Sequence, residues 1–188
     1  ALFPSSHLAL ERVNIGKSRE VKVESLAVPI GPLGLFSGTR DFDTVEVKNV
    51  TVEPQALSTI AGWTRGSKDA PELTINKLRL RSIKVATPVE TPKFDLEASL
   101  GPRGELRMAI FNVDKARIEA TPKDKSWSIK MRASGWKPII GPAVEFDELE
   151  ASGTMTGDSA LLDSIKGRVG GGTFSAQLKA SWGGTIQA

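Results

Sequence analysis

Residues 45–52 read Val45-Glu46-Val47-Lys48-Asn49-Val50-Thr51-Val52, with valines two, then three, then two apart. A period of two is that of a strand with one covered face. A step of three throws the second pair of valines onto the wrong face of a straight strand. A bulge or bend in the middle restores the phase and adds local twist. The stretch therefore predicts a strand that is kinked near Asn49 and keeps all four valines on one side.

The same cadence recurs at Leu8, Leu10, Val13, Ile15, then at Val21, Val23, Leu26, Val28. It returns at Leu73, Ile75, Leu78, Leu80 and at Val144, Phe146, Leu149, Ala151. The intervals between sets are unequal, which points to shared geometry rather than a repeat of fixed length. Bulges are expected at Val47–Val50 and at Ile75–Leu78. Elsewhere the alternation is uninterrupted. Phe94, Leu96, Ala98 and Leu100 run into Gly101-Pro102-Arg103-Gly104, and Leu106, Met108 and Ile110 lead away from that turn. Ile118 and Ala120 enter a second turn at Pro122-Lys123-Asp124-Lys125, from which Trp127, Ile129, Met131 and Ala133 return. Phe174, Ala176, Leu178, Ala180 and Trp182 form the last strand pattern.

Three short segments carry helix signals. Leu33 to Phe36 is one. Pro54 to Gly62 has Pro near its start and Gly at its end. The third is capped by Asp158 or Ser159 and runs through Leu161, Leu162 and Ile165 to Gly167. The expected fold is mainly β: a long antiparallel, twisted and bulged sheet of repeated strand pairs, with two or three short helices. The chain is treated as a single β-rich region, 1–188, a fragment of something longer, with a sub-boundary near 87–92.

Composition narrows the chemistry. Among 188 residues there is no Cys and no Tyr, which removes disulfides and thiolate metal sites. No apolar run approaches the eighteen or so residues that cross a bilayer. The 25 basic and 22 acidic residues leave a net charge of +3 with no basic arm. The densest basic stretch, Lys77, Arg79, Arg81 and Lys84, contains no aromatic residue for stacking, so no nucleic-acid partner is expected. His7 is the sole histidine, and zinc prefers nitrogen and sulfur ligands that are otherwise missing. No Gly-x-Ser-x-Gly elbow accompanies it. Asp41, Asp43, Glu145, Asp147, Glu148 and Glu150 read as exposed acids beside strand residues. Gly170-Gly171-Gly172-Thr173 lacks the Lys-Ser or Lys-Thr of a phosphate loop and precedes a strand, so it reads as a tight turn. No enzyme activity, catalytic residue, metal or cofactor is expected.

The C-terminal run FDELEASGTMTGDSALLDSIKGRVGGGTFSAQLKASW resembles the repeating unit of bacterial AsmA-like proteins. Phe146, Leu149, Gly153, Leu161, Ile165, Gly167, Gly171, Gly172, Thr173, Phe174, Leu178 and Trp182 carry the likeness. LALERVNIG, VKVESLAVPIGPLGLFSG, VEVKNVTVEPQALSTIAG and ELTINKLRLRSIKV resemble the segment that follows the membrane helix in that family. Gly183-Gly184 departs from the pattern after Trp182. The resemblance implies a periplasmic protein anchored in the inner membrane and linked to outer-membrane biogenesis and phospholipid transport. It also implies a membrane segment before Ala1, further strand repeats after Ala188, and envelope proteins and phospholipid or another acyl-chain lipid as partners.

The residues themselves lead the same way. A one-faced sheet with little helix must close on itself or hold an apolar guest. The residues expected to form an apolar groove are Leu73, Ile75, Leu78, Leu80, Phe94, Leu96, Met108, Ile110, Trp127, Ile129, Met131, Phe174 and Leu178. The alternative is a structural or protein-interaction module of the envelope with a closed core. Alternation groups residues within a strand but does not say which strands are neighbours.

Overall fold

The computed structural model describes residues 7–15, 21–29, 40–53, 73–86, 92–138 and 144–181. They form eleven strands in one mixed sheet whose spatial order is the chain order. The strands are β1 (His7–Ile15), β2 (Val21–Pro29), β3 (Arg40–Val52), β4 (Leu73–Val85), β5 (Phe94–Leu100) and β6 (Leu106–Val113). They continue with β7 (Ala116–Lys123), β8 (Ser126–Trp136), β9 (Phe146–Met155), β10 (Ser159–Val169) and β11 (Gly172–Ser181). Residues 1–109 and 110–188 make two compact units.

In the first unit, the kink expected near Asn49 is a line shared by several strands. Asn49 takes a left-handed backbone with φ of 54°, and Arg12 and Ser82 do so with φ of 55°. The β1–β2 pairing steps from Glu11↔Ser25 to Val13↔Val23 with no change of register, and β2–β3 steps from Ser25↔Lys48 to Val23↔Val50. Lys48 pairs with Arg81 and Thr51 with Lys84, which sets Asn49 level with Ser82. Arg12, Glu24, Asn49 and Ser82 thus occupy one line across four strands. A left-handed residue reverses the side-chain alternation once, so residues three apart share a face. Val45, Val47, Val50 and Val52 are accordingly all buried. The line ends at β5, which alternates without interruption. There the register shifts between Leu80 and Ile83, and Asp95 fills the gap. Its Oδ1 accepts the Ser82 N–H at 2.9 Å, and its Oδ2 accepts from Arg81 Nη1 at 2.9 Å. At Ile75–Leu78 the pairing steps from Phe42↔Ile75 to Thr44↔Lys77, while the left-handed residue of β4 is Ser82.

Two expectations are corrected. The sheet is not antiparallel throughout, because β3 and β4 run parallel from Arg40↔Leu73 to Val52↔Val85. A parallel pair needs a crossover of a dozen or more residues, and the length of chain between Val52 and Leu73 meets that need. The segment from Ser159 to Gly167 is not helical but lies in β10. Leu161, Leu162 and Ile165 have the i, i+1, i+4 spacing of a helix. In β10 the inward set is instead Ala160, Leu162, Ile165 and Gly167, the interrupted cadence once more, with a register shift between Leu162 and Ile165. No helix occurs among the described residues; Leu33–Phe36 and Pro54–Gly62 lie outside them.

The second unit is built on short hairpin turns. Gly170 and Gly171 have φ of 54° and 83°, the paired positive values of the tightest hairpin type, so the glycine run is a turn. Asp114 and Asp124 supply φ of 50° and 55° at the β6–β7 and β7–β8 turns.

Candidate functional site

In the second unit, cross-strand register sorts side chains into four apolar rows. One row is Ala116, Ala133, Leu149, Gly167 and Phe174, and the next is Ile118, Met131, Ala151, Ile165 and Ala176. The third is Ala120, Ile129, Gly153, Leu162 and Leu178, and the fourth Pro122, Trp127, Met155, Ala160 and Ala180. At about 3.4 Å per residue and 4.8 Å per strand, the face measures roughly 20 Å by 19 Å. A face of this extent is within the range of the largest apolar patch on a typical monomer, which is often functional.

Small residues form the floor. Ala116, Ala120, Ala133 and Ala151 are buried because longer neighbours such as Met131 and Ile129 rise on either side. Two glycines are set by close approach. A Cβ on Gly167 meets the Phe174 ring at 2.5 Å, so the ring lies over that glycine and reaches Phe146 with centroids 5.7 Å apart. Phe146 also stacks on Trp136 at 6.2 Å. A Cβ on Gly153 overlaps the Leu161 carbonyl, where the bulged part of β10 approaches β9. The face opens toward β11, where Leu178 is 53% exposed.

In the first unit the apolar face is more filled. Val21, Val23, Val45, Val47, Val50, Val52 and Ile83 form one buried cluster. Ile75, Leu78, Leu80, Phe94 and Leu96, half-buried, pack against it. Among the described residues of the chain, no side chain is below 2% exposure and no polar residue is buried as a whole, although the Arg79 Nε is buried without a hydrogen-bond partner.

The expected groove residues therefore fall as follows. Ile75, Leu78, Leu80, Phe94 and Leu96 share the first unit's cluster, and Met108 is half-buried on β6. Leu73 begins β4, but its side chain lies outside the described set. Trp127, Ile129, Met131, Phe174 and Leu178 all stand in the four rows of the second unit, whereas Ile110 is half-buried on β6. Sequence reasoning left out the valine cluster and the alanine floor. The first carried the interrupted cadence and was legible. The second was legible in part: Ala120, Ala133 and Ala151 fall in phase with the larger apolar residues of their strands, whereas Ala116 carried no such signal.

The opposite faces are polar, and several of their charges are paired. The fork of Arg81 reaches Asp95 and, through Nη2, Glu97 at 3.0 Å; the hydrogen bond to Asp95 is the main cause raising its pKa above the usual guanidinium value. The acids of β9 meet cations on its neighbours: Glu150 lies 3.3 Å from Arg132, and Glu148 lies 3.6 Å from Arg168. Glu145 is 3.2 Å from Lys137. Such exposed pairs contribute little stability each, but they account for the acidic cluster without catalysis. Among the described residues, no group of three His, Asp or Glu is placed to hold a metal ion. The side chains of His7 and Asp41 lie outside the described set.

At the β9–β10 turn, Thr156 Oγ1 donates to Asp158 Oδ1 at 2.6 Å and accepts the Ser159 N–H at 3.2 Å. The Thr156 hydroxyl first, and the Ser159 hydroxyl second, hold the Asp158 carboxyl below the usual carboxylate range. A folded pKa below the unfolded one contributes stability above the unfolded value and loses it as pH falls through the folded value. Wild type is therefore expected to melt above Asp158→Asn at neutral pH, with the two midpoints converging in acid. Thermal melts across that pH range provide the check; a gap that persists below the carboxylate range rules out titration of Asp158 as its source.

No family model, curated protein or solved structure matches the chain.

Proposed function

We propose that the chain is a non-enzymatic periplasmic envelope protein of AsmA-like type. Its apolar faces shelter the acyl chains of a phospholipid or another lipid during transport or outer-membrane assembly. The observation that carries this reading is the set of four apolar rows across β7–β11, with Leu178 half open to solvent at one end. Each methylene moved from water onto such a face contributes about 0.8 kcal/mol. Acyl chains need only a smooth apolar surface, which the alanine floor and the bordering Ile129, Met131 and Trp127 supply. Headgroups then remain near water, and no covalent chemistry is required. The inner-membrane anchor and the further repeats belong to the same reading and rest on the resemblance of the sequence alone.

A second reading, a structural or protein-interaction module with a closed core, is favoured by the first unit, whose valines are 3–6% exposed. One experiment separates the two. The protein is purified from cells, extracted, and searched for copurifying phospholipid by mass spectrometry, alongside Leu178→Glu. Leu178 is on the open strand, so the variant is expected to keep its melting midpoint within about 0.5 kcal/mol of stability, as surface changes do. Its lipid is expected to fall severalfold. Absence of lipid from wild type, or equal lipid in the folded variant, favours the closed module.

A further inference from the structure

The kink line of the first unit has a second side. Arg12, Asn49 and Ser82, its left-handed residues, line an open depression of about 600 Å³ on the polar face. Lys22, Lys84 and Lys93 line it as well, and Glu24 is the one carboxylate among the described residues that line it. Pairing explains how four cations converge from separate parts of the chain. Thr51 pairs with Lys22 on one side and Lys84 on the other. The register Ile83↔Phe94, carried one step further, sets Lys84 beside Lys93. Successive members of this row stand about 4.8 Å apart.

What sets this depression apart from an ordinary solvated strand face is that Arg12, Lys22, Lys84 and Lys93 line it together. Lys22 lies 3.6 Å from Glu53, whereas the side chains of Arg12, Lys84 and Lys93 make no ion pair or hydrogen bond among the described residues, as is also true of the scattered strand cations Lys77, Lys130, Lys166 and Lys179. Asp95, two residues along the chain from Lys93, has its two oxygens engaged by the Ser82 N–H and by Arg81. Like charges side by side on neighbouring strands destabilise a sheet, and an anion bridging Lys84 and Lys93 relieves that repulsion. Lys22 separates Val21 from Val23, and Lys84 follows Ile83, so these cations stand on the face opposite the apolar cluster, of which Val23 alone also lines the depression among the described residues. An anion held there is not the headgroup of a lipid lying on the apolar face, and the site does not depend on that reading.

We propose that this depression binds a phosphate group, presented either by an anionic bilayer surface or by a small soluble phosphate. A phosphate carries up to two charges and several acceptor oxygens. Cations from β1, β2 and β4 and from Lys93 beside β5, with the Thr51 hydroxyl and the Asn49 amide between them, match that demand better than they match a single carboxylate. Among the described residues the lining holds no aromatic ring, which argues against a stacked nucleic-acid strand.

The test uses the full chain with two probes. Vesicles of phosphatidylglycerol in phosphatidylcholine, against phosphatidylcholine alone, report the bilayer source by flotation. Inorganic phosphate, titrated by calorimetry or NMR shift, reports the soluble source. The double variant Lys84→Gln/Lys93→Gln, both exposed positions, is expected to melt no lower than wild type, because it removes a repulsion. Its binding to the positive probe is expected to fall about thirtyfold, at about fivefold per cation near an anionic surface. Should the glutamines lower the midpoint, Lys84→Arg/Lys93→Arg, which keeps the charge, is expected to retain binding. Binding of anionic vesicles, of phosphate, or of both, with loss in the glutamine variant, supports the site and names its source. Binding of neither probe, binding unchanged in the glutamine variant, or charge-sensitive binding of a single-stranded oligonucleotide alone overturns it.

Discussion

Val50→Glu is expected to unfold the first unit, while Thr51→Glu, one residue along, leaves it standing. Val50 is 3% exposed and sits inside the valine cluster. A carboxylate there has no cation on its own face, since the strand places Lys22 and Lys84 on the other. Burying it unpaired costs several kcal/mol, about the whole stability of a small domain. Thr51 points to the polar face between Lys22 and Lys84, where a glutamate gains two cations and the change is expected within about 0.5 kcal/mol of neutral. Circular dichroism with urea titration of both variants measures the contrast. Its magnitude depends on Asn49, because without the left-handed step Val50 shares a face with Lys48 instead of Val47. A folded Val50→Glu variant overturns the placement of the kink.

Gly153→Ala is the second large effect expected, and it comes from one methyl group. The added Cβ falls on the Leu161 carbonyl and close to the Leu162 Cα, so no side chain rotation makes room. Either β9 moves away from β10 or the bulge between Leu162 and Ser164 straightens and takes the register with it. Overpacking of this kind costs about 1–3 kcal/mol, and the upper end is expected here because the obstacles are backbone atoms. Gly157→Ala, with nothing within 4 Å of the new Cβ, serves as the control and is expected to be neutral. Equal melting midpoints for the two variants contradict the close approach of β10 to β9.

The strand content was legible because the cadence at Val45–Val52 has only one economical reading, and the structure places a left-handed residue at its step of three. Where the same cadence failed to be read, the reason is physical. In β10 the outward-facing Leu161, 46% exposed, stands beside the inward Leu162 and makes a helical spacing out of a bulge. The parallel pairing of β3 and β4 left its mark only in the length of chain between Val52 and Leu73, which alternation ignores. The candidate groove was half legible. Large residues such as Met131 and Phe174 announce a face by their phase and carry Ala133 with them, but Ala116 stood outside any pattern, and Gly153 is read only from what stands against it. The basic depression was not legible. Attention to dense stretches found Lys77–Lys84, whose Arg79 and Arg81 turn out to serve Glu97 and Asp95. The cations that converge, Arg12, Lys22, Lys84 and Lys93, are brought together only by register.

The alignment of Arg12, Glu24, Asn49 and Ser82 also restricts how such a chain changes over evolutionary time. Each left-handed position is correct only relative to the strand beside it. A single inserted residue on β2 or β3 moves its step out of line and turns the residues beyond it toward the wrong side. Small insertions and deletions within these strands are therefore selected against, even where every substituted side chain is tolerated. Duplication of a whole strand pair carries its own step along and disturbs no neighbour's phase. Length variation among descendants of this sequence is thus expected between strands or in whole-strand increments, leaving the crease at a constant distance from the apolar residues that flank it.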